Sequence, residues 1–273
     1  MESNPELELA WQLVEYTGVN VFLTGKAGSG KTTFLRKLRE QSTKRMVVLA
    51  PTGVAAMNAG GVTIHSFFQL PFAPFVPESH FGGEAKYQYR FGKEKVNILR
   101  SLDLLVIDEI SMVRADLLDS VDDVLRRYRD RHKPFGGVQM LMIGDLQQLS
   151  PVVKEQDQQL LSPYYNHFYF FGSHALEQAG YVTVELTKVY RQSNAEFLDL
   201  LNCIRDNRVD ASVLRRLNRR FQPDFAAEQP RGYIYLTTHN QKANDLNTAR
   251  LEQLAGEPRV CRAEMEGDFP VYM

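Results

Sequence analysis

The sequence predicts an α/β fold in which helices cover both faces of a parallel sheet. Four short segments are rich in Val, Ile, Leu and Met and do not alternate with polar residues; they span residues 19–24, 46–50, 104–107 and 138–143. Such segments are typical of strands that are buried on both faces. Segments with helical periodicity separate them, and this alternation of strands and helices favours a parallel sheet.

The helical segments and two interruptions set the expected domain organisation. Helices are expected at 5–16, 31–41 and 114–127. Residues 71–92 carry three prolines, a Gly82-Gly83 pair and six aromatic residues, which predicts an insertion. Residues 222–232 form a second break before an expected strand at 233–236. We expect a first domain at 1–70 and 99–181, a small inserted subdomain at 71–98 and a partial second domain at 182–273.

Composition narrows the class of protein. The 273 residues are 44% hydrophobic and 24% charged, which is ordinary for a globular protein. The formal net charge of −1 does not argue for nucleic acid, so any basic surface would be local. Cys203 and Cys261 form no metal-ligand spacing, which favours reduced thiols. No signal peptide or membrane span is predicted, so we expect the cytoplasm or, in a eukaryote, the nucleus.

A glycine-rich segment follows the first expected strand and opens the helix at 31–41. Residues 25–32 read GKAGSGKT and fit the P-loop pattern, in which backbone N–H groups and a helix N-terminus bind phosphate. Lys31 is expected to reach the β- and γ-phosphates, and the Thr32 hydroxyl to ligate Mg²⁺. A glycine-rich turn that fits by chance is the alternative. The candidate nucleotide-binding residues are Gly25, Lys26, Ala27, Gly28, Ser29, Gly30, Lys31, Thr32 and Thr33.

Two carboxylates, Asp108 and Glu109, end the apolar segment at 104–107. Ligands of an open parallel sheet sit at the carboxyl ends of its strands. There Asp108 could hold Mg²⁺ through water, and Glu109 could accept a proton from an attacking water. This is the Walker B arrangement of a nucleotide hydrolase. The alternative is an acidic helix start, because Asp and Glu favour those positions.

Two later polar residues are weaker candidates. Gln148 lies in GDLQQLSP, residues 144–151, after the strand at 138–143. An amide there could contact the γ-phosphate or orient water, and a surface turn is the alternative. Arg191 lies in LTKVYRQ, residues 186–192. From spacing alone, that arginine is an ordinary solvated surface residue.

Two loops carry groups suited to nucleic acid. Pro51, Thr52 and Gly53 follow the strand at 46–50, and Thr63 and His65 lie nearby in sequence. Their hydroxyls, N–H groups and imidazole suit phosphate and sugar contacts, and aromatic rings could stack on bases. A helix N-cap and core aromatics are the alternatives. The densest basic run, residues 126–133, could touch phosphates or form a solvated helix face.

In their order along the chain, these motifs resemble those of the PIF-type (petite integration frequency) DNA helicases of superfamily 1, relatives of the RecD helicase subunit. Residues 133–139, KPFGGVQ, resemble the end of the PIF signature stretch. The similarity covers most of residues 4–192, and 235–240 (YLTTHN) resembles the second motor domain. The matching blocks are 25–32 (motif I), 50–56 (motif Ia), 63–67 (the next DNA-contact motif), 108–112 (motif II), 144–152 (motif III) and 186–192 (motif IV).

The resemblance implies a RecA-like P-loop NTPase fold and a helicase that uses ATP and Mg²⁺ to move 5′ to 3′ on single-stranded DNA and to open forks. Residues 71–92 would meet the duplex junction. The implied roles are phosphate and metal binding by Lys31 and Thr32, metal binding by Asp108, catalytic base for Glu109, γ-phosphate sensor for Gln148, arginine finger for Arg191, and DNA contact by Pro51, Thr52, Gly53, Thr63 and His65.

Two features depart from the family pattern. Glu8 stands where many members have an adenine-reading glutamine, and Gln12 is out of place for that role. No segment resembles motifs V and VI, so we expect the N-terminal motor portion of a helicase, acting as a monomer. The leading hypothesis is an ATP-dependent helicase. The alternatives are a nucleotide-gated single-stranded DNA-binding fragment with little hydrolysis of its own and an unrelated P-loop phosphotransferase.

Overall fold

A computed structural model describes residues 4–77, 91–190, 194–223, 234–257 and 259. The strands are β1 (Val21–Gly25), β2 (Met46–Ala50), β3 (Val62–Thr63), β4 (Leu104–Ile107), β5 (Gln139–Ile143) and β6 (Val182–Leu186). They form one sheet in the order β3-β2-β4-β5-β1-β6, and each neighbouring pair is parallel. The predicted α/β fold with a parallel sheet is confirmed.

Helices connect the strands and cover the sheet. Asn4 starts the first of them: its side chain accepts hydrogen bonds from the backbone N–H groups of Glu6 and Leu7. The α-helices are α1 (Pro5–Tyr16), α2 (Lys31–Gln41), α3 (Gly53–Ala59), α4 (Ile64–Phe68), α5 (Lys93–Ser101), α6 (Ala115–Tyr128), α7 (Glu155–Leu161), α8 (His174–Ala179), α9 (Ala195–Arg205), α10 (Ala211–Asn218) and α11 (Asn240–Glu252). Short 3₁₀ turns occupy Ile110–Met112, Pro134–Gly137 and Phe170–Gly172.

The central strands serve two cores, one on each face of the sheet. Leu104 and Val106 pack in a cluster with apolar residues of α1 and α2. Leu105 and Ile107 pack in a second cluster with apolar residues of α6. Successive side chains of a strand point to opposite faces, so a strand covered on both sides is apolar throughout. This arrangement explains why the predicted strands do not alternate with polar residues.

Most predicted element bounds agree with the structure. The helices at 5–16 and 31–41 and the strands at 46–50 and 104–107 have the expected limits. Three elements differ by one or two residues at an end: β1 is Val21–Gly25, β5 begins at Gln139, and α6 is Ala115–Tyr128. None of the described helices is long and apolar enough to cross a bilayer.

The structure corrects two expected domain boundaries. Residues 182–186 were expected to begin a second domain, but they form β6, which pairs with β1 along five residues. The first sheet therefore includes this strand. At the other boundary, residue 98 falls inside α5, whose Leu99 is buried in the cluster that contains α6. The inserted region therefore ends before Lys93, and its residues 78–90 lie outside the described part of the chain.

The chain divides into two compact units, Met1–Arg216 and Leu217–Met273. Within the second unit the structure describes helix α11, none of whose side chains is buried. The strand expected at 233–236 is corrected as well. Residues 234–236 are described, and they form no strand of the sheet. Residue 233 lies outside the described residues.

Candidate nucleotide and nucleic-acid site

Three neighbouring strands bring the predicted nucleotide motifs to one edge of the sheet. β5 lies between β4 and β1, and all three run in the same direction. Ile107 of β4 is level with Met142, and Leu23 of β1 is level with Ile143. The segments that follow the three strands therefore leave the sheet side by side. This edge is where open α/β sheets bind ligands.

The P-loop, residues 25–32, has a backbone that glycine makes possible. Gly25 has a φ of 143°, and a Cβ there would lie 2.6 Å from the carbonyl oxygen of Leu186. Gly30, with a φ of 103°, starts α2 without a side-chain capping bond. The first N–H groups of α2 lack intrahelical acceptors, so they are available to an anion.

Two polar side chains of the P-loop fit a polyphosphate ligand. The Ser29 hydroxyl is fully buried and has no hydrogen-bond partner among the described residues. The Lys31 ammonium donates to the loop's own carbonyl oxygens, at Gly25 and Lys26. Burial lowers the pKa of Lys31, although the negative charges of the nearby acidic residues oppose that shift. Phosphate oxygens would be stronger acceptors for this ammonium than neutral carbonyls.

Asp108 and Glu109 form the acidic part of the site. Asp108 accepts a 3.0 Å hydrogen bond from the backbone N–H of Glu109. Burial raises the pKa of both carboxyls, and the charge of Asp108 raises that of Glu109 further. Glu109 precedes the 3₁₀ turn Ile110–Met112, but its carboxylate makes no capping hydrogen bond to that turn. The alternative interpretation of an acidic helix cap is therefore wrong for the Glu109 side chain. Thr32, exposed at the start of α2, supplies the hydroxyl expected for Mg²⁺.

Gln148 is attached to the site through Asp145, the residue that follows Gly144 at the end of β5. Gln148 donates from Nε2 to Asp145 Oδ2 over 2.8 Å, and the N–H of Gln147 donates to Oδ1 over 3.1 Å. Burial alone would raise the pKa of Asp145, but hydrogen bonds from Arg205 and Gln148 outweigh it and lower the pKa. Among the described residues the second N–H of the Gln148 amide has no acceptor, so it could donate to phosphate.

Sequence reasoning missed the residues that contact this site from the segment after β6. The backbone N–H of Tyr190 donates to Gly28 O over 2.9 Å, and the Tyr190 hydroxyl accepts from Asn4. Asn202 and Arg205, on α9, bind Lys26 and Asp145. Tyr190 lies in the block at 186–192, but no motif marks Asn202 and Arg205, although their i, i+3 spacing places them on one helix face. Arg191 lies outside the described residues.

The two DNA-type loops lie together because β2 pairs with β3. Ala50 is level with Thr63, so Pro51, Thr52 and Gly53 leave the sheet beside Thr63 and His65. Both threonine hydroxyls accept a backbone N–H as N-caps, Thr52 from Ala55 and Thr63 from Ser66. The alternative interpretation of these two threonines as helix N-caps is therefore confirmed. A capping hydroxyl can still donate its own O–H to a phosphate oxygen.

An apolar cavity of about 460 Å³ opens beside these loops. Pro51, Thr52 and His65 line it, together with Phe72 from the inserted region. The His65 and Phe72 rings stack with centroids 4.9 Å apart and planes 17° apart, and the Phe72 side chain is exposed. Burial, followed by the charge of Arg114, lowers the pKa of His65. The imidazole is therefore a neutral group at pH 7 rather than a cation.

The basic run at 126–133 has structural partners. Arg126 binds Asp122 and the Gln178 side chain. Arg129 donates to the backbone carbonyl oxygens of Leu99, Arg100 and Gly136. Both arginines therefore fasten the end of α6 to neighbouring segments.

The fold and the site define a P-loop nucleotide-binding protein of the RecA-like class: a parallel sheet, a phosphate loop after β1 and an acidic pair after β4. The chain belongs to the PIF1-like helicase family, whose family model matches residues 8–214. This confirms the resemblance found in the sequence motifs.

Relatives and solved structures agree with this assignment. The human ATP-dependent DNA helicase PIF1 is 36% identical over 249 residues, which cover 88% of this chain and 35% of the human protein. A Bacteroides Pif1 helicase crystallised with ADP-AlF3 and single-stranded DNA superposes with a TM-score of 0.85 at 42% identity, covering 94% of this chain and 58% of that one. A Pif1 structure concerned with unwinding of forked DNA has a TM-score of 0.83 at 43% identity, covering 92% and 58%. The chain thus spans about a third of the human relative.

Proposed function

We propose that this chain is the N-terminal motor portion of an ATP-dependent 5′-to-3′ DNA helicase, which couples ATP hydrolysis to movement on single-stranded DNA and to the opening of forks. The observation that carries the proposal is the convergence of the P-loop, Asp108–Glu109 and Gln148 at one sheet edge. The DNA-type loops after β2 and β3 belong to the same sheet. Family membership and the DNA-bound Pif1 structures support it. The proposed location is the cytoplasm or nucleus, where cellular DNA lies.

In this proposal the P-loop holds the nucleotide phosphates. The N–H groups at the start of α2 and the Lys31 ammonium donate to phosphate oxygens, and Lys31 exchanges its bonds to Gly25 and Lys26 for stronger ionic ones. The residues proposed to line this site are Gly25, Lys26, Ala27, Gly28, Ser29, Gly30, Lys31, Thr32 and Thr33. Arg191 is proposed as the arginine finger.

Thr32 and Asp108 are proposed to hold Mg²⁺, since a hydroxyl and a carboxylate are ligands that this ion accepts alongside water and phosphate. The bound ion neutralises charge that develops on the phosphates. Glu109 accepts the proton of the attacking water, a role that its raised pKa favours. Gln148 donates to the γ-phosphate while Asp145 holds its amide.

The proposed DNA path crosses the loops after β2 and β3. Hydroxyl and N–H groups of Thr52, Gly53 and Thr63 contact phosphates, and the neutral His65 ring contributes a hydrogen bond and a stacking face. With a net charge of −1, the chain lacks a general attraction for DNA, so we expect these local contacts to determine affinity.

Polarity is the sharpest test of the helicase proposal. Partial duplexes with either a 5′ or a 3′ single-stranded tail are incubated with the chain, ATP and Mg²⁺, and strand release is measured. We expect release from the 5′-tailed duplex, and no release by the Lys31→Ala variant. Release from the 3′-tailed duplex alone would contradict the proposed direction.

A second candidate function is a nucleotide-gated single-stranded DNA-binding module with little hydrolysis of its own. It is favoured by the pairing of β2 with β3, which places the DNA-type loops on the same sheet as the P-loop; gating needs this link, whereas it does not require hydrolysis. This module would bind an oligonucleotide more tightly with a non-hydrolysable ATP analogue than without it, yet release neither strand from either tailed duplex. That combination of results would replace the motor proposal.

A further inference from the structure

Helix α9 contacts the nucleotide site at two points, both in its last turn. Arg205 forms a two-pronged pair with Asp145, with 2.6 Å from Nη1 to Oδ2 and 2.7 Å from Nη2 to Oδ1. Three residues earlier, Asn202 accepts a 2.7 Å hydrogen bond from the ammonium of Lys26. One helix face therefore joins the P-loop after β1 to the loop after β5.

Asp145 is the hub of these contacts. Its two oxygens accept hydrogen bonds from Arg205, from the Gln148 amide and from the backbone N–H of Gln147. The Asp145 side chain is 1% exposed and that of Arg205 is 20% exposed. A paired fork of this kind fixes orientation as well as charge. If Arg205 were lost, a buried carboxylate would remain without its cation, and the position of Gln148 would depend on Asp145 alone.

We propose that Arg205 is a positioning residue for ATP hydrolysis: by holding Asp145, it fixes Gln148 at the nucleotide and keeps α9 against the P-loop. This inference rests on the proposed function, because Gln148 has a task only if nucleotide is hydrolysed there. Arg205 itself does not touch the reacting atoms. Its effect is on orientation, and a small displacement of a catalytic group can slow a reaction by about 100-fold.

The fork provides a signature that a merely structural arginine would not have. Arg205 holds Asp145 through two hydrogen bonds, and Asp145 in turn holds the Gln148 amide. Because Gln148 is proposed to act on the γ-phosphate, its displacement should slow turnover. Arg205→Lys keeps the charge but cannot form the fork, so it should not restore the rate.

The test is single-stranded DNA-stimulated ATP hydrolysis, with the KM for ATP and thermal unfolding measured alongside. We expect kcat to fall by up to about 100-fold in both Arg205→Ala and Asp145→Asn, with a smaller change in the KM for ATP. Arg205→Lys, which keeps the charge but loses the fork, should also lower kcat. The matched control is Arg208→Ala, because Arg208 is an exposed arginine nearby that pairs with Asp206. It should behave as wild type.

An unchanged kcat in Arg205→Ala, or a wild-type kcat in Arg205→Lys, would overturn the inference. If Arg205→Ala does not fold, Arg205→Lys decides the matter. A readout without turnover is the NMR resonance of the Gln148 side-chain amide, which should move or broaden in Arg205→Ala and stay in place in Arg208→Ala. If it stays in place in both, the inference fails. A wild-type chain without stimulated hydrolysis refutes the proposed function instead.

Discussion

Glu109 combines a strained backbone with a perturbed carboxyl. Its φ of 53° and ψ of 42° lie in the left-handed region, which is uncommon for a residue other than glycine. Burial and the neighbouring carboxylate raise its pKa. Strained residues persist where the surrounding structure holds them, and they cluster at active sites. At the residue scale, Glu109 is therefore the proposed centre of the chemistry.

The pKa of Glu109 predicts how the ATPase rate depends on pH. Glu109 accepts a proton only when it is ionised, so the rate should fall as the pH drops through its raised pKa. Steady-state hydrolysis measured across a pH series checks this. Glu109→Gln should lose at least about 100-fold in kcat, while a fluorescent ATP analogue still binds. Equal turnover in the variant would show that Glu109 is not the base.

Gly144 sets the spacing between the ends of β4 and β5. A Cβ at this position would lie 2.9 Å from Ile110 Cγ2 and 3.2 Å from the backbone nitrogens of Ile110 and Ser111. Gly144→Ala should therefore displace the segment that follows Glu109. We expect a lower kcat and a fall in stability of about 1–3 kcal/mol, measured by urea unfolding. As a control, Gly18→Ala places its methyl group in open space and should leave both quantities unchanged. Wild-type stability in Gly144→Ala would refute the close approach.

The elements that the sequence predicts best are apolar throughout, such as β2 and β4, and every residue of β4 is buried. A short segment without polar residues is typical of a strand buried on both faces. The motif that follows such a strand in the sequence then lies at the carboxyl end of the sheet. Residues 182–186, which form β6, were assigned to the second domain. Only Val184 and Leu186 of this strand are buried, and its other residues are exposed. Alternation identifies a strand but not the sheet that it joins. The α9 contacts depend on a pair 60 residues apart, which no local pattern encodes.

Helices α6 and α8 are joined through one buried carboxylate. Asp119 of α6 accepts hydrogen bonds from the hydroxyls of Tyr165 and Ser173 and from the backbone N–H groups of His174 and Ala175. It thereby anchors the first turn of α8 and satisfies four donors, of which those of Tyr165, Ser173 and Ala175 are buried.

Loss of this carboxylate should destabilise the fold. Asp119→Ala leaves the four donors without their acceptor, and we expect it to reduce the free energy of unfolding by about 3 kcal/mol. Urea denaturation followed by circular dichroism measures the change. Asp206→Ala, which removes an exposed ion pair with Arg208, should leave the unfolding midpoint unchanged. Equal midpoints for the two variants would contradict the anchoring role.

At the scale of the whole molecule, the two edges of the sheet differ in function. The carboxyl edge bears the P-loop, the acidic pair and the DNA-type loops. The amino edge receives the end of α1, immediately before β1 begins. This polarity follows from a parallel sheet, in which every strand ends on the same side, and it concentrates the proposed ATP and DNA contacts at one edge.

The exposed Phe72 ring allows this arrangement to be tested by DNA binding. If Phe72, stacked on His65, supports a DNA base, then Phe72→Ala should weaken binding of a single-stranded oligonucleotide by about 10-fold, as expected for one base–aromatic stack. Fluorescence anisotropy measures the affinity. Tyr16→Ala is a matched control, because Tyr16 is similarly exposed but ends α1 at the opposite edge. A similar loss in both variants would place the DNA elsewhere.

The proposed DNA-coupled hydrolysis is best tested by steady-state ATP turnover with and without a single-stranded oligonucleotide. We expect DNA to stimulate turnover by this chain, Glu109→Gln to abolish turnover while still binding nucleotide, and Arg191→Ala to lose the stimulation. ATP binding with no stimulated turnover would contradict the claim that these residues form a DNA-coupled hydrolase.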